Sequence, residues 1–316
     1  MGDNGLKNIG VLGAGLMGHG IAQLLAVGGC RVRLFDENPQ ILGAAFQRMA
    51  DNLQVFLRLG MITQDQIELA LARVTPARDL ADLCQGQDLI IEAVSENLEV
   101  KRKVFTSLED LTTPQCILAS NTSAISIGKI AQGLARPGRV VGTHFWNPPH
   151  VVPCVEVIRA PKTEDAVMDA VFALLRRVGK RPVRVQKDVP GFVGNRMQHA
   201  LWREAIALVQ EGIASAEDVD EVVRYGFGLR LAFLGPLATA DLAGLDLAYE
   251  VHKDLFPHLD RSTEPSPLLT EKIGKGELGA KSGQGFHKWT PEELRQVVSR
   301  RDEVLLKILR EIFTEQ

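Results

Sequence analysis

Cysteine is scarce in this chain and dispersed along it. The four present in 316 residues, Cys30, Cys84, Cys116 and Cys154, include no short-spaced pair of the kind a zinc site or redox dithiol needs. They read as small buried hydrophobes in a reducing compartment. The seven histidines show no metal-ligand spacing either, so no metal is expected. Basic excess is also missing: 36 Lys and Arg stand against 39 Asp and Glu, a formal charge of −3, which leaves no electrostatic footing for a nucleic-acid partner. No uncharged run approaches the ~18 residues of a membrane span. The first residues lead straight into a strand pattern, with no basic region or cleavage signal, and Leu6 stands where a myristoylation signal has Ser or Thr. Export and membrane attachment are not expected, and the expected location is cytoplasmic.

What is present is the composition of an ordinary globular protein, 45% hydrophobic and 24% charged. At roughly 150 residues per domain the length suggests two domains, large enough to bury their cores without disulfides. Short apolar or alternating runs at 8–13, 31–36, 87–94, 115–119 and 138–143 are separated by segments of helical period. That alternation predicts an α/β fold, a doubly wound and mostly parallel sheet of Rossmann type. Runs at 154–159 and 181–186, around a helical stretch at 163–178, extend the sheet, so the first domain is expected to span 1–187. Past Asp188-Val189-Pro190-Gly191 the pattern turns helical and stays so. Met197, Leu201, Ala205 and Leu208 recur at helical spacing, Gly212 is a stop, Ser215 opens the next helix, and Thr290-Pro291-Glu292-Glu293 caps the last. These signals predict an all-α C-terminal domain over 188–316.

Gly13-Ala14-Gly15-Leu16-Met17-Gly18 falls where the first strand must turn into the first helix, the context that gives a G-x-G-x-x-G pattern meaning. Gly13 allows the tight turn, Gly15 lets backbone approach a pyrophosphate, and Gly18 lets helix and strand pack closely, while the helix N-terminus offers free N–H groups to the anion. Asp36 closes the second strand, where a carboxylate accepts hydrogen bonds from an adenosine ribose and repels a 2′-phosphate. NAD is therefore favoured over NADP. The alternative is a set of glycines serving only the turn, with Asp36 capping the next helix. His144 is placed just past a strand and Glu156 inside the next. Both have apolar neighbours, and a glutamate among Val155, Val157 and Ile158 is costly to bury unpaired, which makes the histidine its natural partner. Composition leaves two readings of that pair open, a catalytic dyad and a structural ion pair.

Taken together, these residues resemble the 3-hydroxyacyl-CoA dehydrogenase family. The likeness runs from the glycine motif through Glu96-Asn97-Leu98, Ser120-Asn121-Thr122-Ser123, His144-Phe145-Trp146-Asn147-Pro148 and Val155-Glu156-Val157. It continues in Pro190-Gly191-Phe192-Val193-Gly194-Asn195-Arg196, Gly235-Pro236 and Lys281-Ser282-Gly283-Gln284-Gly285-Phe286. The resemblance implies an NAD-dependent dehydrogenase in which His144 is the general base and Glu156 orients it. It further implies that Ser123 and Asn195 contact the reacting oxygens of the substrate, that Asn147 and Lys281 lie at the cofactor, and that Glu96 and Lys101 line its ribose end. Each has a plainer reading: Ser123 as the cap of a helix starting near Ala124, Asn195 as solvent-exposed, Glu96 and Lys101 as solvated surface charges. The family commonly dimerises through its helical domain, so a homodimer is expected.

Three departures bear on the substrate. The family's CoA users supply lysines after the second strand, whereas residues 39–60 hold only Arg48 and Arg58 as cations. Pro148-Pro149-His150 replaces a single proline followed by small apolar residues, and the segment 226–236 is longer before its Gly-Pro. The chain in these respects is similar to relatives that oxidise free 3-hydroxy acids, the L-gulonate 3-dehydrogenase and lambda-crystallin group, and to small bacterial catabolic dehydrogenases. Arg230 is then a candidate to fork a substrate carboxylate, against the plainer reading of a surface arginine at a helix end. His150 is a candidate contact for an acidic or ring substrate, or an exposed loop histidine. The expected reaction is oxidation of a small free 3-hydroxycarboxylate, the alternatives being an L-3-hydroxyacyl-CoA and, in another class, a non-catalytic NAD-binding structural or sensor protein.

Overall fold

A computed structural model describes residues 5–313. Eight strands form one sheet: β1 (Asn8–Leu12), β2 (Arg31–Phe35), β3 (Val74–Pro76), β4 (Leu89–Glu92), β5 (Ile117–Ser120), β6 (Val140–Phe145), β7 (Cys154–Ile158) and β8 (Arg181–Val185). Their order is β3-β2-β1-β4-β5-β6-β7-β8. Every neighbouring pair is parallel except β6 with β7. The doubly wound, mostly parallel sheet is therefore present, and β3 is an addition that the apolar pattern did not disclose: three residues, of which only Val74 is buried.

Helices α1 (Gly18–Val27), α2 (Pro39–Arg58), α3 (Gln64–Ala72), α4 (Leu80–Cys84), α5 (Leu98–Leu111), α6 (Ile127–Ile130) and α7 (Asp165–Arg177) connect the strands. Side chains on a strand alternate between faces, and helices cover both faces of β4. Leu89 and Ile91 join a core built with Ile21 and Leu25 of α1, Met49 of α2 and Val171 of α7. Ile90 faces the other way, into a core with Phe105 and Leu108 of α5 and Ile127 and Ile130 of α6. The helix starts are set by short polar residues. Asn38 accepts hydrogen bonds from Gln40 and Ile41 N–H with Pro39 in the first turn of α2, and Thr63 and Gln66 form a reciprocal capping box on α3.

After β8 the chain passes through 186–193 into α8 (Gly194–Gln210), α9 (Ala216–Tyr225), α10 (Phe227–Leu231), α11 (Pro236–Ala243), α12 (Leu245–Leu255), α13 (Pro267–Gly274) and α14 (Pro291–Phe313). Ser215 caps α9 through Asp218 N–H at 3.1 Å, and Thr290 and Glu293 cap α14 reciprocally. Gly212 adopts φ +69° just past α8, as a stop requires. The chain divides into two compact units, Met197–Arg301 and the remainder. The end of α14 belongs with the sheet, where Leu306 is buried and Arg310 donates to the Leu59 carbonyl. No described helix is long and apolar enough to cross a membrane.

Candidate active site

The register of the one antiparallel pair sets His144 directly across from Glu156. Opposed residues of an antiparallel pair project from the same face with Cβ atoms about 5 Å apart, which is how two residues far apart in sequence come within reach. The His144 Nδ1 to Glu156 Oε2 distance is 2.7 Å, and both side chains are buried. His144 was expected just beyond a strand. It lies inside β6, all six residues of which are buried, and the deeper setting makes its partner indispensable.

Glu156 is satisfied on its other side by the start of α8. Its Oε1 accepts N–H groups from Val193 at 2.9 Å and Gly194 at 3.0 Å, donors that a helix N-terminus leaves unpaired. Burial acts to raise the Glu156 carboxyl, but the His144 hydrogen bond, the Gly194 and Val193 amides and the imidazole charge outweigh it and hold it below its ordinary value. An ionised Glu156 accepts only, so Nδ1 of His144 carries the proton and Nε2 is left as the reactive nitrogen. Trp146 and Phe192 flank the imidazole, with ring centroids 5.2 and 5.8 Å away. Phe192 holds φ +50°, a left-handed conformation that costs a non-glycine residue roughly 1–2 kcal/mol, and donates its N–H to the Val189 carbonyl at 3.0 Å. At Gly194 a Cβ would overlap the Trp146 ring, so the approach of α8 to the dyad requires glycine.

The sheet order reverses between β1 and β4, and the crevice outside the carboxyl ends of those strands is where α/β sheets bind ligands. Gly13 takes φ +96° there, a Cβ on Gly18 would overlap the Gly13 carbonyl oxygen, and nothing lies within 4 Å of where a Gly15 Cβ would project. The three glycines thus serve the turn, the close packing and an open cradle ahead of α1, a geometry that fits a dinucleotide pyrophosphate. Leu16 is exposed and Met17 packs against the core. Asp36 ties the loop down, accepting Ala14 N–H at 2.8 Å on one oxygen and Asn38 N–H at 2.9 Å on the other.

Glu96, in the loop after β4, accepts the Thr122 hydroxyl at 2.6 Å, Ser123 N–H at 2.9 Å and Ala124 N–H at 3.0 Å. Ser123 is exposed and caps nothing; the next helix, α6, is capped by Ser126. The Asn195 amide donates to the Ser123 carbonyl at 2.8 Å, and Asn121 Oδ1 accepts Phe145 N–H at 3.0 Å, so the loop after β5 is stitched both to α8 and to the strand of His144. Ser123, Asn195, His144, Glu156, Asp36 and Glu96 all belong to the sheet unit. Asn147 is exposed just past β6, joined to Pro148 by a cis peptide bond.

Lys101 is not the solvated charge its spacing allowed: it is buried, 2.7 Å from Glu92 and 3.4 Å from Glu96. Glu92 was not among the residues singled out by pattern, although a glutamate closing the apolar run Leu89-Ile90-Ile91 is the same signal that drew attention to Glu156. His150 packs with rings 6.4 Å from His19 and 6.1 Å from Phe56. Burial, with His19 and Lys180 nearby, pushes its pKa down to about 4, which keeps it neutral near pH 7. Arg230 on α10 and Lys281 are exposed residues of the helical unit; Lys281 borders a cavity of about 320 Å³ together with Lys272 and Phe286. Among the described residues no cluster of His, Cys, Asp or Glu could hold a metal ion.

Comparison with known proteins converges on one family. Residues 8–189 match the family model described as 3-hydroxyacyl-CoA dehydrogenase, NAD binding domain, and 191–289 match its C-terminal domain. The chain is 37% identical over 305 residues to the 5-formyl-3-hydroxy-2-methylpyridine 4-carboxylate 5-dehydrogenase of Mesorhizobium japonicum, covering 96% of this chain and 98% of that one. It is 39% identical over 285 residues to a probable 3-hydroxybutyryl-CoA dehydrogenase of Bacillus subtilis (90% and 98%), and 33% identical over 298 residues to the lambda-crystallin of Oryctolagus cuniculus (92% and 91%). Among solved structures, that of a 5-formyl-3-hydroxy-2-methylpyridine 4-carboxylic acid 5-dehydrogenase, described as an NAD+ dependent dismutase, superimposes with a TM-score of 0.90 at 36% identity, over 96% of this chain and 98% of that one. The (S)-3-hydroxybutyryl-CoA dehydrogenase of Ralstonia eutropha gives 0.76 at 36%, over 90% and 99%.

The charge state of the dyad makes a pH prediction. Glu156 is depressed below its ordinary value of 4.5, so its contribution to stability is complete above that pH and is lost as pH falls through the depressed value. Urea midpoints measured from pH 7 to pH 3 should therefore fall less steeply below pH 4.5 for Glu156→Gln than for the wild type. An identical acid limb in both proteins would contradict the assignment.

Proposed function

The chain belongs to the 3-hydroxyacyl-CoA dehydrogenase family, and on that premise we propose that its substrate is a small free 3-hydroxycarboxylate, oxidised to the 3-oxo acid with His144 as the base. The reaction class is that of an NAD-dependent dehydrogenase acting on a CH–OH group. The residues that would hold NAD are those of the 13–18 loop with Asp36 and Glu96, joined by Asn147; when bound, it supplies the two-electron acceptor that turns the alcohol carbon into a carbonyl. The work of the chain is with the proton. Nε2 of His144 takes it from the substrate hydroxyl, while Nδ1–H stays on Glu156, whose carboxylate balances the positive charge that the imidazole acquires. Ser123 and Asn195 present a hydroxyl and an amide to the reacting oxygen, the Ser123 backbone being held by Glu96 at its N–H and by the Asn195 amide at its carbonyl. Trp146 and Phe192 restrict rotation of the imidazole and exclude water from its flanks.

The observation that carries the free-acid reading is structural: agreement at a TM-score of 0.90 with an enzyme of a pyridine carboxylate, against 0.76 for a 3-hydroxybutyryl-CoA enzyme of equal identity. The cation-poor α2 agrees, since Arg48 directs its Nε to the Ala44 carbonyl and only Arg58 accompanies it. Arg230 supplies the fork for the carboxylate. A 3-hydroxyacyl-CoA is the second reading, supported by the 39% identity to the Bacillus subtilis relative. Absorbance of reduced nicotinamide over a panel of free 3-hydroxy acids and acyl-CoA thioesters tests both. Turnover should be higher with a free acid, and Arg230→Lys should lower kcat/KM for it by about tenfold or more without affecting any acyl-CoA activity. Fast acyl-CoA oxidation with free-acid kinetics unchanged in the variant would overturn the reading.

The helical unit accounts for the second half of the proposal, a homodimer. No apolar side chain between Met197 and Arg301 is buried, and Leu237, Leu242, Phe233 and Tyr249 are 81, 75, 69 and 64% exposed. Apolar surface on that scale marks an interface, and a second copy is the partner that closed symmetry supplies. Light scattering at micromolar concentration should give twice the 34.6 kDa of one chain, and Leu242→Arg should shift it toward the single-chain mass. A monomer in the wild type would contradict the dimer.

A further inference from the structure

We propose that Glu92 is a positioning residue: from inside the sheet unit it fixes Lys101, through Lys101 it fixes Glu96, and so it sets the 122–124 backbone that carries the Ser123 hydroxyl. Glu92 closes β4 at the centre of the sheet, paired with Leu12 on one side and Ser120 on the other, and its side chain is 0% exposed. One oxygen accepts Lys101 Nζ at 2.7 Å and Val94 N–H at 2.7 Å, and the other accepts the Ser120 hydroxyl at 2.6 Å. Enclosed in this way, the carboxylate cannot meet a ligand. Lys101 is 1% exposed, donates to Glu92 and to the Val94 carbonyl, and holds Glu96 in an ion pair at 3.4 Å. Buried between the two carboxylates, it braces Glu96. Glu96 is 43% exposed and uses one oxygen on Thr122, Ser123 and Ala124, while its other oxygen lies 3.4 Å from Lys101 Nζ.

Energetics favour a role beyond stability. A buried ion pair is often no more stabilising than apolar side chains of the same volume, whereas removing one partner leaves an uncompensated charge. What the pair does that apolar side chains could not is aim a third charge, Glu96, whose carboxyl is pushed up by burial but held low by Thr122, Ala124, Lys101 and Ser123. The chain of contacts runs from the loop that faces the dinucleotide cradle to the loop that faces the hydroxyl. A single buried carboxylate thereby places a group on each reactant. This inference rests on the dehydrogenase reading for what the two loops bind, but not for the contacts themselves.

The test compares wild type, Glu92→Gln and the double variant Glu92→Gln/Lys101→Met by amide hydrogen exchange, thermal unfolding, and titration and kinetics with NAD. In Glu92→Gln the Ser123 and Ala124 amides should exchange about tenfold faster or more, with β1 and α7 unchanged. The Kd for NAD should rise about tenfold and kcat should fall about threefold or more. The double variant, with no buried charge unpaired, should regain the thermal midpoint but neither the protection nor the affinity. Wild-type exchange at Ser123 and Ala124 in Glu92→Gln would overturn the proposal, as would a double variant that regains protection and affinity together, since the pair would then be structural only. Failure of the wild type to bind NAD would instead sink the dehydrogenase reading, and the exchange comparison would still decide the role of Glu92.

Discussion

Because β7 runs against β6 in a sheet whose other neighbours are all parallel, His144 and Glu156 stand across from one another and not in stagger, and the chemistry of the site descends from that pairing. A slip of one residue would carry Glu156 to the opposite face and strand His144 in a core with nothing to hold its proton. The register is reinforced from outside the sheet: the first amides of α8 close on the same carboxylate, so the helix that follows the sheet begins where the carboxylate behind the base needs donors. Gly194 and the left-handed Phe192 are the local consequences, one removing a side chain that would strike Trp146, the other bending the backbone into contact with the imidazole.

The same device recurs at the other end of the crevice. Glu92 and Glu156 are both strand glutamates with almost no exposure, and each receives donors from a neighbouring strand and from the helix or loop beyond. In one case the partner is a base that reacts, in the other a lysine that only braces. The contrast lies in the partners: Nε2 of His144 is left open, while Lys101 is held between Glu92, the Val94 carbonyl and Glu96. Between the two carboxylates run the stitches of Asn121 and Asn195, which make the serine loop part of both constellations.

Much of this was legible in the residues before any coordinates. The apolar runs of β1 and β4 are buried on both faces and so write themselves as continuous hydrophobic text, and the glycine spacing falls at the one turn where each glycine has a separate steric reason. A pairing of His144 with Glu156 could be guessed from the cost of burying a glutamate alone. Its register could not, because strand direction is decided by a loop whose path depends on tertiary packing. Edge strand β3 was invisible for a related reason: three residues, one of them proline, carry too little pattern to separate from a loop. Lys101 looked like a surface charge since nothing local announces a partner nine residues away, and the loop residue His150 looked exposed because nothing local shows that His19 of α1 and Phe56 of α2 pack near it.

The mechanism stands most directly on the position of a proton. Nitrogen-15 NMR of the His144 imidazole at neutral pH should show hydrogen on Nδ1 and a bare Nε2 in the wild type, with that preference lost in Glu156→Gln, where the amide can donate as well as accept. A wild-type imidazole protonated on Nε2 alone would have no lone pair to offer an alcohol, and the mechanism would be wrong.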